Sequence, residues 1–176
     1  MRGVRKAAGF TLIELLVVVV IIGVVSAGIL LSVNLTGRDS ELEKESTRLL
    51  TLVNYAREQA ELQTRDFGLR FRDDGYEFLT YDVRRSLWRD VYEDDALRDR
   101  SLPGGLGIKL SVEARPVVLT QPTDSKDKTP QVMIFANGDL TTFEATVERD
   151  GGTRSVTLTE DDKGQVIAKP MVESKT

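Results

Sequence analysis

The chain of 176 residues is 40% hydrophobic and 30% charged, which suits one ordinary globular domain with an appendage rather than two full domains. It contains no cysteine and no histidine, so a disulfide scaffold, a thiolate zinc site and the commonest general base are all excluded. The net charge is -4, yet Arg2, Arg5 and Lys6 stand at the extreme amino terminus. Without them 21 bases face 28 acids, a balance of -7 that sets the chain against nucleic acid as a partner.

From Leu15 to Gly37 no residue is charged, and the apolar run is about the 20 residues that a helix needs to cross a bilayer. Bases precede it, and Asp39, Glu41, Glu43 and Glu45 follow it, an asymmetry that places the amino terminus in the cytoplasm and the bulk of the chain outside. A cleavable secretory signal, with Val25-Ser26-Ala27 as its small-residue site, and a plain membrane anchor both account for length and orientation. Neither accounts for Glu14, a carboxylate inside the apolar block that costs several kcal/mol when ionised at that depth unless something pairs with it. Cleavage between Gly9 and Phe10 would create an α-amino group four residues before Glu14. In a stack of such helices one subunit's ammonium would meet a neighbour's Glu14. Gly23 with Ala27, and Gly28 with Ser32, set small residues one turn apart and let helices approach closely.

The stretch Gly9-Phe10-Thr11-Leu12-Ile13-Glu14 resembles the class III leader boundary of type IV pilins and type II secretion pseudopilins. The order of parts carries the resemblance: a short basic leader ending in glycine, an aromatic first mature residue, a glutamate at the fifth mature position, then the apolar run. It implies that a prepilin peptidase cuts after Gly9 and that Phe10 becomes N-methylated.

Beyond the run, Leu42, Leu49, Val53, Ala56 and Ala60 recur at helical spacing, which carries a helix to about Gln63. No proline precedes Pro103, so any bend falls to Gly23, Gly28 or Gly37. The period then changes to alternation. Phe67, Leu69 and Phe71 lead to a turn at Asp73-Asp74-Gly75 and return through Tyr76 and Phe78. Ile108 to Val112, Val117 to Leu119, Val132 to Ala136, Thr141 to Val147, Val156 to Leu158 and Val166 to Ala168 complete seven or eight short antiparallel strands. The turn Asn137-Gly138-Asp139 reads as a return between two of them. Residues Val83 to Gly107 and Gln121 to Pro130 read as long loops, and the chain after Pro170 as a polar tail.

Two further regions, Phe67-Gly68-Leu69-Arg70-Phe71 through Trp88 to Leu102-Pro103, and Ile134 to Leu140 through Phe143 to Gly152, resemble the H-type minor pseudopilins of the general secretion pathway, the GspH family. The FimU-like minor pilins of type IV pili share the leader and a related sandwich. The resemblance implies an α+β, pilin-like fold: leader 1–9, helix 10–63 (10–36 transmembrane, 37–63 amphipathic) and a periplasmic antiparallel β-sandwich over 64–176. It implies a non-enzymatic subunit of the inner membrane that enters a periplasmic pseudopilus near its tip. Its partners there are the I, J and K minor pseudopilins and the major G subunit, and the filament drives folded proteins across the outer membrane. A membrane-anchored periplasmic domain that binds a ligand on its own is the alternative from another class.

No site for a metal, cofactor or catalytic reaction is expected. The acidic runs Glu93-Asp94-Asp95 and Glu160-Asp161-Asp162 lack the ligand spacing of an EF-hand loop and read as solvated turns. Pairs of carboxylates are too frequent here to single out a glycosidase. Arg84, Arg85, Trp88 and Arg89 combine charge with a stacking surface, but Glu93 to Asp95 largely cancel their field. Arg85, Trp88 and Arg89 are the candidate contact with a partner protein, because Trp and Arg are enriched in interface hot spots; the equal alternative is that Trp88 simply covers an edge of the sandwich.

Overall fold

A computed structural model describes residues 12–119, 128–149, 151–152 and 154–173, with side chains described outside 27–39 and 170–173. Helix α1 spans Leu12–Gln63 and stays helical through Gly23, Gly28 and Gly37. The chain divides into two compact units, Met1–Ser40 and Glu41–Thr176. In the first, every described Leu, Ile and Val from Leu12 to Val25 is exposed. Among the described residues no helix is long and apolar enough to cross a membrane. The expected span over 10–36 extends into residues whose side chains lie outside the description, so the structure supplies the helix and not the span.

In the second unit α1 places Leu42, Leu49, Leu52, Val53, Ala56 and Ala60 on one buried stripe at intervals of three and four. The helix stops at Thr64, whose left-handed φ of 48° lets Arg65 N–H reach Ala60 C=O at 3.1 Å and Thr64 N–H reach Glu61 C=O at 3.3 Å. These two bonds form a Schellman ending with a β-branched residue where glycine is usual.

Ten strands follow: β1 Phe67–Arg72, β2 Gly75–Asp82, β3 Leu87–Asp90, β4 Arg100–Ser101, β5 Leu106–Val112, β6 Arg115–Val117, β7 Val132–Ile134, β8 Phe143–Arg149, β9 Arg154–Glu160 and β10 Val166–Glu173. One sheet runs β3-β2-β1-β7 with β4 paired to β2, and the other runs β10-β9-β8-β5-β6. All pairings are antiparallel. The expected helix on an antiparallel sandwich is therefore present. Phe67, Leu69, Phe71, Tyr76 and Phe78 of the first sheet share one buried cluster with the α1 stripe and with Ile108, Leu110, Phe143, Val147 and Leu158 of the second.

Three expectations change. The segment Val83 to Gly107 is not a loop: it holds β3, a 3-10 turn at Asp95–Leu97 and β4. β3 escapes a reading based on alternation because Leu87-Trp88-Arg89-Asp90 is a charged edge strand, exposed or half-buried throughout. The turn at Asn137-Gly138-Asp139 does not join a hairpin of β7 with β8. β7 pairs with β1 and β8 with β5 and β9, and only an isolated bridge from Ile134 to Leu140 precedes the crossing between sheets. Gly138 adopts a φ of +84°, where an L side chain is strained and a Cβ would run into the Glu61 carboxylate of α1. Finally, β10 continues to Glu173, its register shifting between Lys169 and Val172 around Pro170. Of the expected loop Gln121 to Pro130, residues 121–127 lie outside the described residues.

The α1 stripe also buries Glu45, 2% exposed, three residues after Leu42 and four before Leu49. The Tyr76 hydroxyl donates to its Oε1 at 2.9 Å and Arg48 to its Oε2 at 2.7 Å. Burial, and then the adjoining Glu45 carboxylate, push the Tyr76 hydroxyl well above its ordinary pKa, which keeps it a donor. Tyr76→Phe therefore removes a hydrogen bond to a buried charge and should cost about 1.5–3 kcal/mol. Denaturant unfolding of the full chain measures the loss, and an unchanged midpoint would show that Arg48 alone satisfies Glu45.

Candidate functional site

Gly9 and Phe10 lie outside the described residues. Glu14 occupies the first turn of α1, exposed among exposed apolar side chains.

The outer face of the first sheet is built from residues the alternating strands turn away from the core. Gly68 of β1 stands opposite Leu79 of β2. A Cβ on Gly68 would lie 2.5 Å from the Pro130 ring and 3.1 Å from the Trp88 ring, so glycine is required there by close approach. Trp88 also packs at a tilt against its cross-strand partner Tyr81, ring centroids 5.2 Å apart. The indole thus closes over the sheet, as a lid on Gly68. Beside it, buried Glu77 receives Arg70 at 3.3 Å and Lys128 at 3.1 Å, and Lys128 also binds Asp90. Arg72 joins Asp99 at 2.7 Å and Asp74 at 3.3 Å. Gln131 completes the cover, its side-chain amide accepting from Phe71 N–H at 2.8 Å and donating to Phe71 C=O at 3.1 Å.

The other sequence candidates are distributed differently. Arg89 is committed to Glu93 at 2.8 Å and lies 4.0 Å from Asp82. Arg85 is exposed on the β2–β3 turn. Asp94 caps the 3-10 turn through Ala96 N–H at 2.8 Å and accepts the Tyr55 hydroxyl at 2.7 Å. Asp161 accepts the N–H groups of Lys163 and Gln165, both at 2.9 Å. Glu93, Asp94 and Asp161 are therefore structural, and among the described residues no group of three acids could hold a metal ion. Sequence reasoning missed Glu45, Glu77 and Lys128. Only Glu45 carried a signal, its place in the heptad-like stripe.

This arrangement is an internally paired surface around a sandwich, with an exposed apolar helix before it, and comparison with known families agrees. Residues 4–30 match the prokaryotic N-terminal methylation motif, and residues 45–162 match the type II transport protein GspH. The chain belongs to the GspH family. The match runs from Glu45 to the β9–β10 turn, so the buried carboxylate, the whole first sheet and all of the second but β10 fall within it. Type II secretion system protein H of Pseudomonas aeruginosa is 32% identical over 163 residues, covering 89% of this chain and 92% of that protein. Its namesake from Aeromonas hydrophila is 29% identical over 149 residues, with 81% of each chain covered. In fold, the crystal structure of the minor pseudopilin EpsH of Vibrio cholerae superposes with a TM-score of 0.64 at 18% identity, over 77% of this chain and 98% of that one. The solution structure of Escherichia coli GspH gives 0.51 at 20% identity, over 77% and 88%.

Burial alone would raise the Asp90 carboxyl, but hydrogen bonds from Lys128 and Tyr92 outweigh it and hold the group below its ordinary value of 3.8. Such a carboxylate stabilises the fold above its unfolded pKa and loses that contribution as pH falls through the lowered folded value. Asp90→Asn should therefore flatten the loss of stability below about pH 4, the range that the ordinary carboxylate pKa sets. Urea midpoints at neutral and acid pH measure the slope, and equal slopes in both proteins would remove Asp90 from the acid response.

Proposed function

We propose that the chain is a minor pseudopilin of a type II secretion system, a non-enzymatic building block of the periplasmic filament that drives folded proteins across the outer membrane. The observation that carries this reading is the exposed apolar surface from Leu12 to Val25, which lies within the methylation motif of residues 4–30. A patch of that size needs lipid or other helices to cover it. In this reading residues 1–9 are a leader removed by a prepilin peptidase after Gly9, and Phe10 is methylated at its new amino group. The helix holds the precursor in the inner membrane with its amino terminus cytoplasmic and the sandwich periplasmic. The helix then passes into a bundle with the I, J and K minor pseudopilins above the major G subunit. Arg85, Trp88 and Arg89 belong to the region of the sandwich that meets such a neighbour.

Intact mass and terminal sequencing of protein purified from membranes check the processing. The expected mature chain begins at Phe10 and carries one methyl group there; retention of Met1, or a start at Gly28, would overturn the reading.

Glu14 is the assembly contact, its carboxylate neutralising the Phe10 ammonium of a neighbour inside the bundle. Glu14→Gln keeps the shape and a hydrogen bond but leaves that ammonium to be buried without a counter-charge, at a cost of several kcal/mol. Cleavage at Gly9 and folding of the sandwich should survive, since both precede assembly. Copurification with the major subunit should fall well below wild type. Undiminished incorporation with normal secretion would show that Glu14 has another role.

A further inference from the structure

Where α1 ends, a half-open cleft of about 580 Å³ lies between the helix exit at Thr64–Asp66, the end of β2 at Tyr81–Arg84, Arg89 and Ala136. Its charges nearly balance, Arg65, Arg84 and Arg89 against Asp66, Asp82 and neighbouring Glu93, but its hydrogen bonds do not. Asp66 accepts the Ala136 N–H at 2.9 Å. Asp82 accepts the backbone N–H groups of Arg84 at 3.0 Å and Arg85 at 3.2 Å. Glu93 accepts Arg89 at 2.8 Å, a bond that holds its carboxyl below the ordinary range with a smaller contribution from the charge of Arg65. The acceptors are thus engaged, largely by backbone. Among the described residues the guanidinium groups of Arg65, Arg84 and Arg85 make no hydrogen bond or ion pair, although the chain as a whole is acidic. Val83 stands beside them 77% exposed. The frame is set by two turns in left-handed conformation, Thr64 at the helix exit and Ser86 in the hairpin.

We propose that this cleft docks an extended acidic segment of a neighbouring pseudopilin, with Arg65 and Arg84 gripping carboxylates and Val83 covering an apolar side chain. The inference rests on the function proposed above and names the surface and chemistry of one contact. A guanidinium presents a planar fork of donors that matches a carboxylate with two parallel bonds. Donors with no acceptor of their own chain keep that capacity for a partner. A cleft open along one side suits a segment crossing it, whereas small-molecule sites bury most of their ligand. The two turns fix the backbone from which Arg65 and Arg84 project, so only the side chains remain to be ordered by a partner.

The test uses the full-length chain in cells carrying the complete secretion system, with the photo-crosslinker benzoylphenylalanine in place of Val83. A second position, Val118, is 86% exposed next to β6 in the other sheet and serves as control. The expected result is an adduct from position 83 to another pseudopilin, mapped by mass spectrometry to an acidic stretch. Joint Arg65→Glu and Arg84→Glu should lower its yield about tenfold, while adducts from position 118 in the same variant persist and report a folded, assembled subunit. Unchanged yield on charge reversal, a mapped segment without acids, or an adduct to lipid would overturn the inference. Pseudopilin adducts from 118 with none from 83 would overturn it too and leave the proposed function standing; none from either position would remove both.

Discussion

The stripe that α1 lays into the sandwich is the constraint on which the second unit depends. Leu42, Leu49, Val53, Ala56 and Ala60 are fully buried, and each large apolar side chain so placed contributes on the order of 1.5–3 kcal/mol. A helix can slide along such a stripe, because leucines and alanines discriminate poorly between registers. Glu45 prevents this. Arg48 of the same helix accompanies its carboxylate in any register, but the Tyr76 hydroxyl of β2 reaches it in this one, so a shifted helix would lose a hydrogen bond to a buried charge. Further along, Arg57 donates to the carbonyls of Gly138 and Gly164. One side chain of α1 thereby ties the crossing between sheets to the β9–β10 turn. Gly138 is the residue that lets that crossing lie against Glu61.

The outer face of the first sheet obeys a different rule. Its strands alternate as the sequence suggests, but the residues turned outward are not all solvated: Glu77 and Leu79 are buried there. Cover comes from Trp88, Pro130 and Lys128, which are distant in sequence from the strands they close. Charges on this face are matched among themselves, so its field is short-ranged and screened within a Debye length. An assembly contact based on charge is better made where donors lack acceptors, at the end of α1, than here.

The same contrast explains what was legible beforehand. Local periodicity announced α1, the β1–β2 hairpin and most strands, because each side chain's neighbours in sequence share its fate of burial. The amino-terminal methylation motif was legible because its chemistry is local, a basic run, a glycine, an aromatic and a carboxylate in order. β3 was hidden because an edge strand with charges on both faces has no alternation to show, and its assignment depends on β2, to which Leu87 to Asp90 pair. The crossing after β7 was hidden because a turn sequence states that the chain reverses and not which sheet receives it. Lys128 with Glu77 was illegible in principle: 51 residues separate them, and only the fold brings them to 3.1 Å.

In the proposed assembly the helix carries the filament contact and the sheets must not, and the edge strands β3, β6, β7 and β10 each carry a local device against strand addition. In the second sheet Pro116 interrupts the donors of β6, and Pro170 with its register shift does the same in β10. In the first sheet β3 presents Arg89 and Asp90, both engaged in ion pairs. β7 is only three residues long, and its outward groups are already met: Met133 N–H donates to the Thr141 hydroxyl at 3.1 Å and Met133 C=O accepts from Thr141 N–H at 2.9 Å. Beyond β7 the Gln131 amide occupies both main-chain groups of Phe71, where another strand would otherwise continue the ladder. Edges closed in this way deny a neighbour the sequence-tolerant main-chain pairing that makes sheets aggregate. In the proposed assembly, contacts between subunits are then left to side chains, the apolar ones of the helix and the guanidinium groups at its end, and side chains are what let each subunit distinguish one neighbour from another.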